Sequence, residues 1–262
     1  MNKFQLPCPV LSEGRLYDLD IPNNHIYIEP MRGDIEEVFA ALTDQQGTAL
    51  GDIATRNATS QLIKMPKDLP FHRLLVSDWV TCMFYIMSAS YGSTLTFDDM
   101  CPNPRHNKKV RITLDFGTLP KVTASDIAKK YEIEYKEPFE MTTPLGKEKI
   151  SFRLLRVGDL DAVQEYTEKA QETAVDTGRN PTPTFSMSLH IIAVNGENLG
   201  EIELRRWIKE ALRGDLLAIR RAIERVETGF DLKPQLACPK CGFKFKKEIP
   251  INFFRAFGAQ AE

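Results

Sequence analysis

The chain has 262 residues, enough for one or two domains, and its 42% of AVILMFWYC residues can fill a sizeable core. With 34 Lys+Arg against 36 Asp+Glu the formal charge is −2, so there is no global reason to seek a polyanion or an anionic membrane as partner, and a basic patch could only be local. No leader-like start and no run of about 18 apolar residues is present, which leads us to expect a protein made and kept in a cytoplasm.

The first 30 residues read as an extended segment. Pro7, Pro9, Pro22 and Pro30 punctuate it, and His25-Ile-Tyr-Ile-Glu29 alternates as a strand. A mixed α/β region is expected over 31–180. It opens with a helix capped by Asp34, with Glu37 three residues on and Ile35, Val38, Phe39 and Leu42 along one face, and a second short helix over Asp52–Ile63 follows. Residues 72–91 are the most apolar stretch and predict the central buried helix, stopped by Gly92. Thr94–Met100 and Lys108–Phe116 then read as strands, the second alternating Val110, Ile112, Leu114 and Phe116 with Arg111, Thr113 and Asp115; Tyr131–Glu140 and Lys149–Val157 supply two more.

The remainder reads as mainly helical: Asp159–Ala174, a turn-rich linker near Thr177–Pro183, Phe185–Val194, Glu201–Leu212 and Asp215–Glu227. Gly214 between the last two, with Asp215 as cap, predicts an antiparallel helical hairpin. A C-terminal region over 181–262 would thus combine this hairpin with a cysteine knuckle, a short alternating strand from Phe243 and an aromatic tail, Phe253-Phe254-Arg-Ala-Phe257, that needs something to pack on. The fold class expected is α+β, a helical core with small antiparallel strands.

Five cysteines, Cys8, Cys82, Cys101, Cys238 and Cys241, are an odd number spread through a chain too large to need disulfide staples. Cys238-Pro-Lys-Cys241-Gly242 is the most informative string. Two thiolates separated by two residues reach one tetrahedral zinc from a tight turn, and Gly242 supplies the positive φ such a turn needs. A thioredoxin-type redox pair would open a helix instead of preceding Phe-Lys-Phe-Lys.

A structural zinc wants four protein ligands. Cys101-Pro-Asn-Pro-Arg-His106 resembles a degenerate copy of the C-terminal knuckle, with Pro104 where a second cysteine would stand and His106 two residues later. The expected site is one structural Zn2+ per chain on Cys101, His106, Cys238 and Cys241, joining the mid-chain and C-terminal hairpins, with Cys8 and His72 as reserve ligands. Cys82 reads as core. A four-ligand site leaves no open position for catalysis. Basic residues flank both turns (Arg105, Lys108, Lys109, Arg111; Lys240, Lys244, Lys246, Lys247), as a nucleic-acid patch or as compensation for thiolate charge.

Asp115-Phe-Gly117 matches a kinase triplet but lacks its companion loops and reads as a strand end. No hydrolase, metalloprotease or phosphate-loop motif occurs, and His25, His72, His106 and His190 carry no companion acid motif, so the expectation is that the protein is not an enzyme. His190 reads as a hydrogen-bonded core histidine.

The order of elements resembles the baseplate proteins of T-even-like contractile-tail phages over about residues 15–257. The strings that carry it are Tyr27–Arg32 before an acidic helix, Leu74-Leu-Val-Ser-Asp-Trp, Ser90-Tyr-Gly92, the Cys101-Pro turn, Leu154-Leu-Arg-Val-Gly-Asp, Asn195-Gly-Glu, Leu216-Leu-Ala-Ile-Arg, Glu227-Thr-Gly-Phe-Asp and Cys238-Pro-Lys-Cys-Gly through Pro250-Ile-Asn-Phe-Phe. The resemblance implies two Cys-Pro-x-Cys-Gly knuckles, with Cys101, Cys238 and Cys241 as ligands and the last ligand altered by Pro104. It also implies a structural or assembly role in the baseplate hub, with other baseplate or hub proteins as partners, no small-molecule substrate, and a place in the host cytoplasm during assembly, with either retention in the virion tail or departure after assembly left open. The alternative is a zinc-ribbon nucleic-acid-binding factor.

Overall fold

The computed structural model describes residues 5–19, 21–43, 53–177 and 182–247. Strands β1 (Leu6–Pro9) and β2 (His25–Ile28) pair antiparallel, helices α1 (Gly33–Thr43) and α2 (Ile53–Leu62) follow, and β3 (Ile63–Lys64) joins the other edge of β2. Helix α3 (Val76–Tyr91) leads into the hairpin of β4 (Thr94–Met100) and β5 (Lys109–Asp115), then β6 (Lys121–Val122) and α4 (Ala124–Tyr131). Strands β7 (Phe139–Thr142) and β8 (Lys149–Phe152) are completed as a sheet by β9 (Ile191–Val194), which arrives after α5 (Val157–Thr177) and α6 (Thr182–His190). Helices α7 (Glu201–Glu210) and α8 (Arg213–Val226), β10 (Gly229–Phe230) against β6, and the hairpin of β11 (Gln235–Ala237) and β12 (Lys244–Lys246) end the described chain. The architecture is α+β, with helices and small antiparallel sheets.

Three apolar clusters form the interior, and α3 contributes to two of them. Trp79, Cys82, Met83 and Ile86 pack with Cys8, Ile26 and Ile28 of the N-terminal strands; Phe84 and Met87, on another side of the helix, pack with Val110, Ile112, Leu114 and Leu236 of the two hairpins. Leu75, just before the helix, enters the third cluster with Phe139, Phe152, Ile191, Leu204 and Ile219. Nine residues of α3 are buried, as its nearly continuous apolar sequence requires. Gly92 ends it at φ 89°, a conformation open to glycine. Strand β5 alternates Val110, Ile112 and Leu114 inward with Lys109, Arg111, Thr113 and Asp115 outward.

Several sequence expectations shift. Where Tyr131–Glu140 reads as a strand, the chain instead ends α4 at Tyr131 and begins β7 at Phe139. A capping box, in which Thr123 accepts the Asp126 N–H and Asp126 accepts the Thr123 N–H, starts this helix. Phe185–Val194 divides: the helix stops at His190, and Ile191–Val194 pairs with β8 because its β-branched residues complete the sheet. Asp34 lies inside the first turn of α1, bonded to Arg32, while the Arg32 carbonyl accepts the Ile35 and Glu36 N–H groups. Helices α7 and α8 do not form a mutual hairpin; α7 lies on α6 and α8 on α4. Asp215 caps nothing in α8; it is buried and accepts the Leu145 and Gly146 N–H groups at 2.8 Å each, fastening the β7–β8 turn.

Candidate metal centre

Both half-sites are turns of antiparallel hairpins. In the C-terminal one the Cys238 N–H bonds to the Phe243 carbonyl at 2.9 Å and the Gly242 N–H to the Cys238 carbonyl at 2.9 Å, with Gly242 at φ 69°. In the mid-chain one the Cys101 N–H bonds to the Lys108 carbonyl at 3.0 Å, and Asn107 takes the positive φ, 34°. The mid-chain closure, Cys101 to Lys108, is two residues longer than Cys238 to Phe243, which is the room that places His106 beyond the position held by Pro104.

The turns face each other. One ligand atom from each of Cys101, His106, Cys238 and Cys241 lies within 4.8 Å of all the others, and among the described residues no further group of His, Cys, Asp and Glu is grouped so closely. Cys101 Sγ and Cys241 Sγ are 3.7 Å apart, and Cys238 Sγ is 3.7 Å from His106 Nδ1. Zinc–sulfur bonds of about 2.3 Å at tetrahedral angles put two sulfurs about 3.8 Å apart, whereas a disulfide needs about 2.05 Å. The donor set therefore fits a tetrahedral cation. The four expected ligands are brought together, while the reserves lie elsewhere: Cys8 Sγ sits 3.7 Å from Cys82 Sγ in the first apolar cluster, and His72 is exposed beside Gly158.

The sulfurs differ in surroundings. Cys101 and Cys238 are buried and Cys241 is exposed. Burial pushes the Cys101 thiol up to about 11, aided by the neighbouring thiols of Cys238 and Cys241 and opposed by the Asn103 N–H. Burial acts the same way on Cys238, but the N–H groups of Cys241 and Lys240 and the adjoining thiols outweigh it and hold its pKa below the ordinary value. Such oriented donors are what a thiolate at the tip of a knuckle needs.

Around this cluster, Leu236 and Cys238 are buried with Cys101, Val110 and Ile112, and Lys247 pairs with Asp99 at 2.5 Å. Asp98 holds both Lys109 at 3.2 Å and Arg111 at 3.3 Å. Three of the basic side chains flanking the turns are thus matched by carboxylates of β4.

The other polar groupings are buried or already ion-paired. Asp78 accepts Ser12 Oγ–H at 2.5 Å, the Ser12 N–H at 3.2 Å and Tyr17 O–H at 2.8 Å, with Ser12 and Asp78 at most 1% exposed, so no substrate reaches them. A polar cavity of about 180 Å³ beside Tyr17 has Arg156 and Glu137 paired at 2.7 Å, and Arg73 and Asp18 at 3.7 Å. His190 is a core histidine, Nδ1 3.0 Å from the Arg153 carbonyl, its pKa lowered by burial. Asp115 accepts the Gly117 N–H at 2.8 Å as β5 ends, and Phe116 is buried, so the kinase-like triplet is a turn. The aromatic tail around Phe253, Phe254 and Phe257 lies outside the described residues, and no described helix is long and apolar enough to cross a membrane. Comparisons with family models, with curated proteins and with solved structures found no match.

Proposed function

We propose that this chain is a non-enzymatic structural or assembly component of a contractile-tail phage baseplate, in the hub region, that docks neighbouring baseplate proteins and is fastened internally by one zinc ion. The carrying observation is the convergence of Cys101, His106, Cys238 and Cys241 from two hairpins up to 140 residues apart. When bound, zinc supplies a crosslink of fixed tetrahedral geometry and no reactive position, since the chain's own ligands fill all four sites. Three thiolates and one imidazole around a dication carry a formal −1, which the nearby lysines and arginines balance. The resemblance of the chain's successive strings to phage baseplate proteins supplies the setting, and the sealing of the Ser12–Asp78 network from solvent agrees with a structural role. The nucleic-acid reading is less favoured because Asp98 and Asp99 already engage Lys109, Arg111 and Lys247.

Two measurements test this. Elemental mass spectrometry should give one zinc per chain, and none in Cys238→Ser; a metal-free parent would overturn the centre. Immobilised protein should retain purified baseplate or hub components from a contractile-tail phage. Binding to none of them, together with a mobility shift on DNA at low salt, would replace the baseplate reading with the nucleic-acid one.

A further inference from the structure

Asn103 occupies the one position in the mid-chain turn from which a single residue reaches three of the four ligands. Its backbone N–H is directed at Cys101, and its carbonyl accepts the His106 N–H at 2.9 Å and the Asn107 N–H at 2.8 Å. Its side-chain Oδ1 accepts the Arg105 N–H at 3.0 Å, which fixes the amide so that Nδ2 points across the interface. Nδ2 then donates to Cys241 Sγ at 3.6 Å, on the opposite knuckle, 138 residues away.

We propose that Asn103 is the positioning residue of the metal centre, supplying the side-chain donor that holds the exposed Cys241 sulfur against the mid-chain half-site. The inference rests on the zinc reading above and adds to it how the incomplete knuckle works. A regular knuckle pairs two thiolates, each steadied by backbone N–H groups of its own turn. The mid-chain turn has Pro104 in the second position, with neither sulfur nor N–H, and offers Asn103 beside it. Of the three sulfurs, Cys238 is buried and steadied by backbone donors that do not depend on a side chain, and Cys101 is buried. Cys241 alone of the three is exposed, so water and competing ligands meet it first. An N–H···S bond from a fixed amide withdraws charge from that sulfur and restricts its rotamer, as outer-shell partners of metal ligands do.

The test is the rate at which zinc-loaded protein yields its metal to a chromophoric chelator. Asn103→Asp keeps the oxygen that accepts the Arg105 N–H, but it removes the donor and places negative charge beside the sulfur. Asn103→Ala removes both contacts. Release should be about 10-fold faster in Asn103→Ala and approach about 100-fold faster in Asn103→Asp, the range typical of outer-shell losses. Each variant should still start with one zinc per chain, and its cobalt-substituted form should keep the charge-transfer bands of a three-thiolate site. Either variant decides the matter without the other, and far-UV circular dichroism in saturating zinc establishes that each is folded before release begins. Release within about twofold of the parent in either variant overturns the role of Asn103 while leaving the centre itself intact. A parent that binds no zinc removes the centre and with it the inference, so the two failures are distinguishable.

Discussion

The metal centre and the buried carboxylate of Asp78 both tie together segments far apart in sequence, Cys101 to Cys241 across 140 positions and Ser12 to Asp78 across 66. They are set in different surroundings. Asp78 sits on α3 between apolar clusters, next to Trp79 and below Tyr17, whose hydroxyl also accepts the Leu75 N–H at 3.0 Å. Its neighbours would stay buried without it. The hairpin of β11 and β12 has only three residues in each strand and places Leu236 and part of Phe245 on the core, so with zinc bound as proposed its attachment would depend far more on the four ligands. A polar clamp inside a large core refines packing that hydrophobic burial already favours; one at the edge of a small hairpin substitutes for packing that the hairpin cannot supply.

Withdrawing the metal is the strongest way to break this comparison. Structural zinc contributes on the order of 10 kcal/mol in small domains. Chelation should therefore abolish amide protection at Cys238, Gly242 and the strands around them, while α3 keeps its protection. Hydrogen exchange with and without chelator reads both regions at once, and equal loss in the two would show that they are a single cooperative unit.

The next largest effect is expected at the other clamp. Asp78→Ala strands the Ser12 N–H, Ser12 hydroxyl and Tyr17 hydroxyl in a water-free site and should cost about 3 kcal/mol or more in denaturant unfolding. The carboxyl also has a pH signature. Burial pushes its pKa up against the hydrogen bonds from Ser12 and Tyr17. Between the unfolded value of about 3.9 and the raised folded value, the native state holds more protons than the unfolded one, so the contribution of Asp78 to stability falls as pH rises through that window. Asp78→Asn should flatten this slope in unfolding midpoints measured from acid to neutral pH.

A third clamp sharpens the contrast at lower cost. Asp215→Ala frees two N–H groups of a partly exposed turn that water can reach, and thermal unfolding should register about 1–3 kcal/mol. The smallest effect is at Gly214, where an added Cβ would meet Leu145 Cδ1 at 2.8 Å. Leu145 is 59% exposed and can swing away, and alanine is worth up to about 1 kcal/mol over glycine in a helix, so Gly214→Ala should be nearly neutral in a thermal melt. A substantial loss would show that Leu145 is pinned.

The four residues of the candidate metal centre are legible in the sequence because thiolates at close spacing, prolines and a turn glycine are chemically particular residues, and because the second half-site repeats the logic of the first. α3, Gly92 and β5 are legible for similar reasons: an apolar run, a positive-φ stop and strict alternation. What escapes is decided at a distance. Asp215 looks like a helix cap from its neighbours and is recruited by a turn 70 residues earlier. Ile191–Val194 follows helical residues and becomes a strand because β8 offers it an edge. Tyr131–Glu140 reads as a strand, yet Tyr135 within it is buried outside any strand and bonds to the Val226 carbonyl at 2.8 Å. Asn103, an ordinary turn asparagine in one dimension, shows its reach only when the C-terminal knuckle lies opposite.

The spacing of the half-sites also orders events during synthesis. Cys101 and His106 leave the ribosome well over a hundred residues before Cys238 and Cys241, and two ligands cannot retain a cation that needs four. The nascent chain therefore shapes α3 and the β4–β5 hairpin with an incomplete site, and closes it only when the last hairpin emerges. A chain cut short before Cys238 would lack two of the four proposed ligands and would leave the apolar side of β5 partly uncovered. If the four residues hold zinc as proposed, the site can close only once residue 241 has been made.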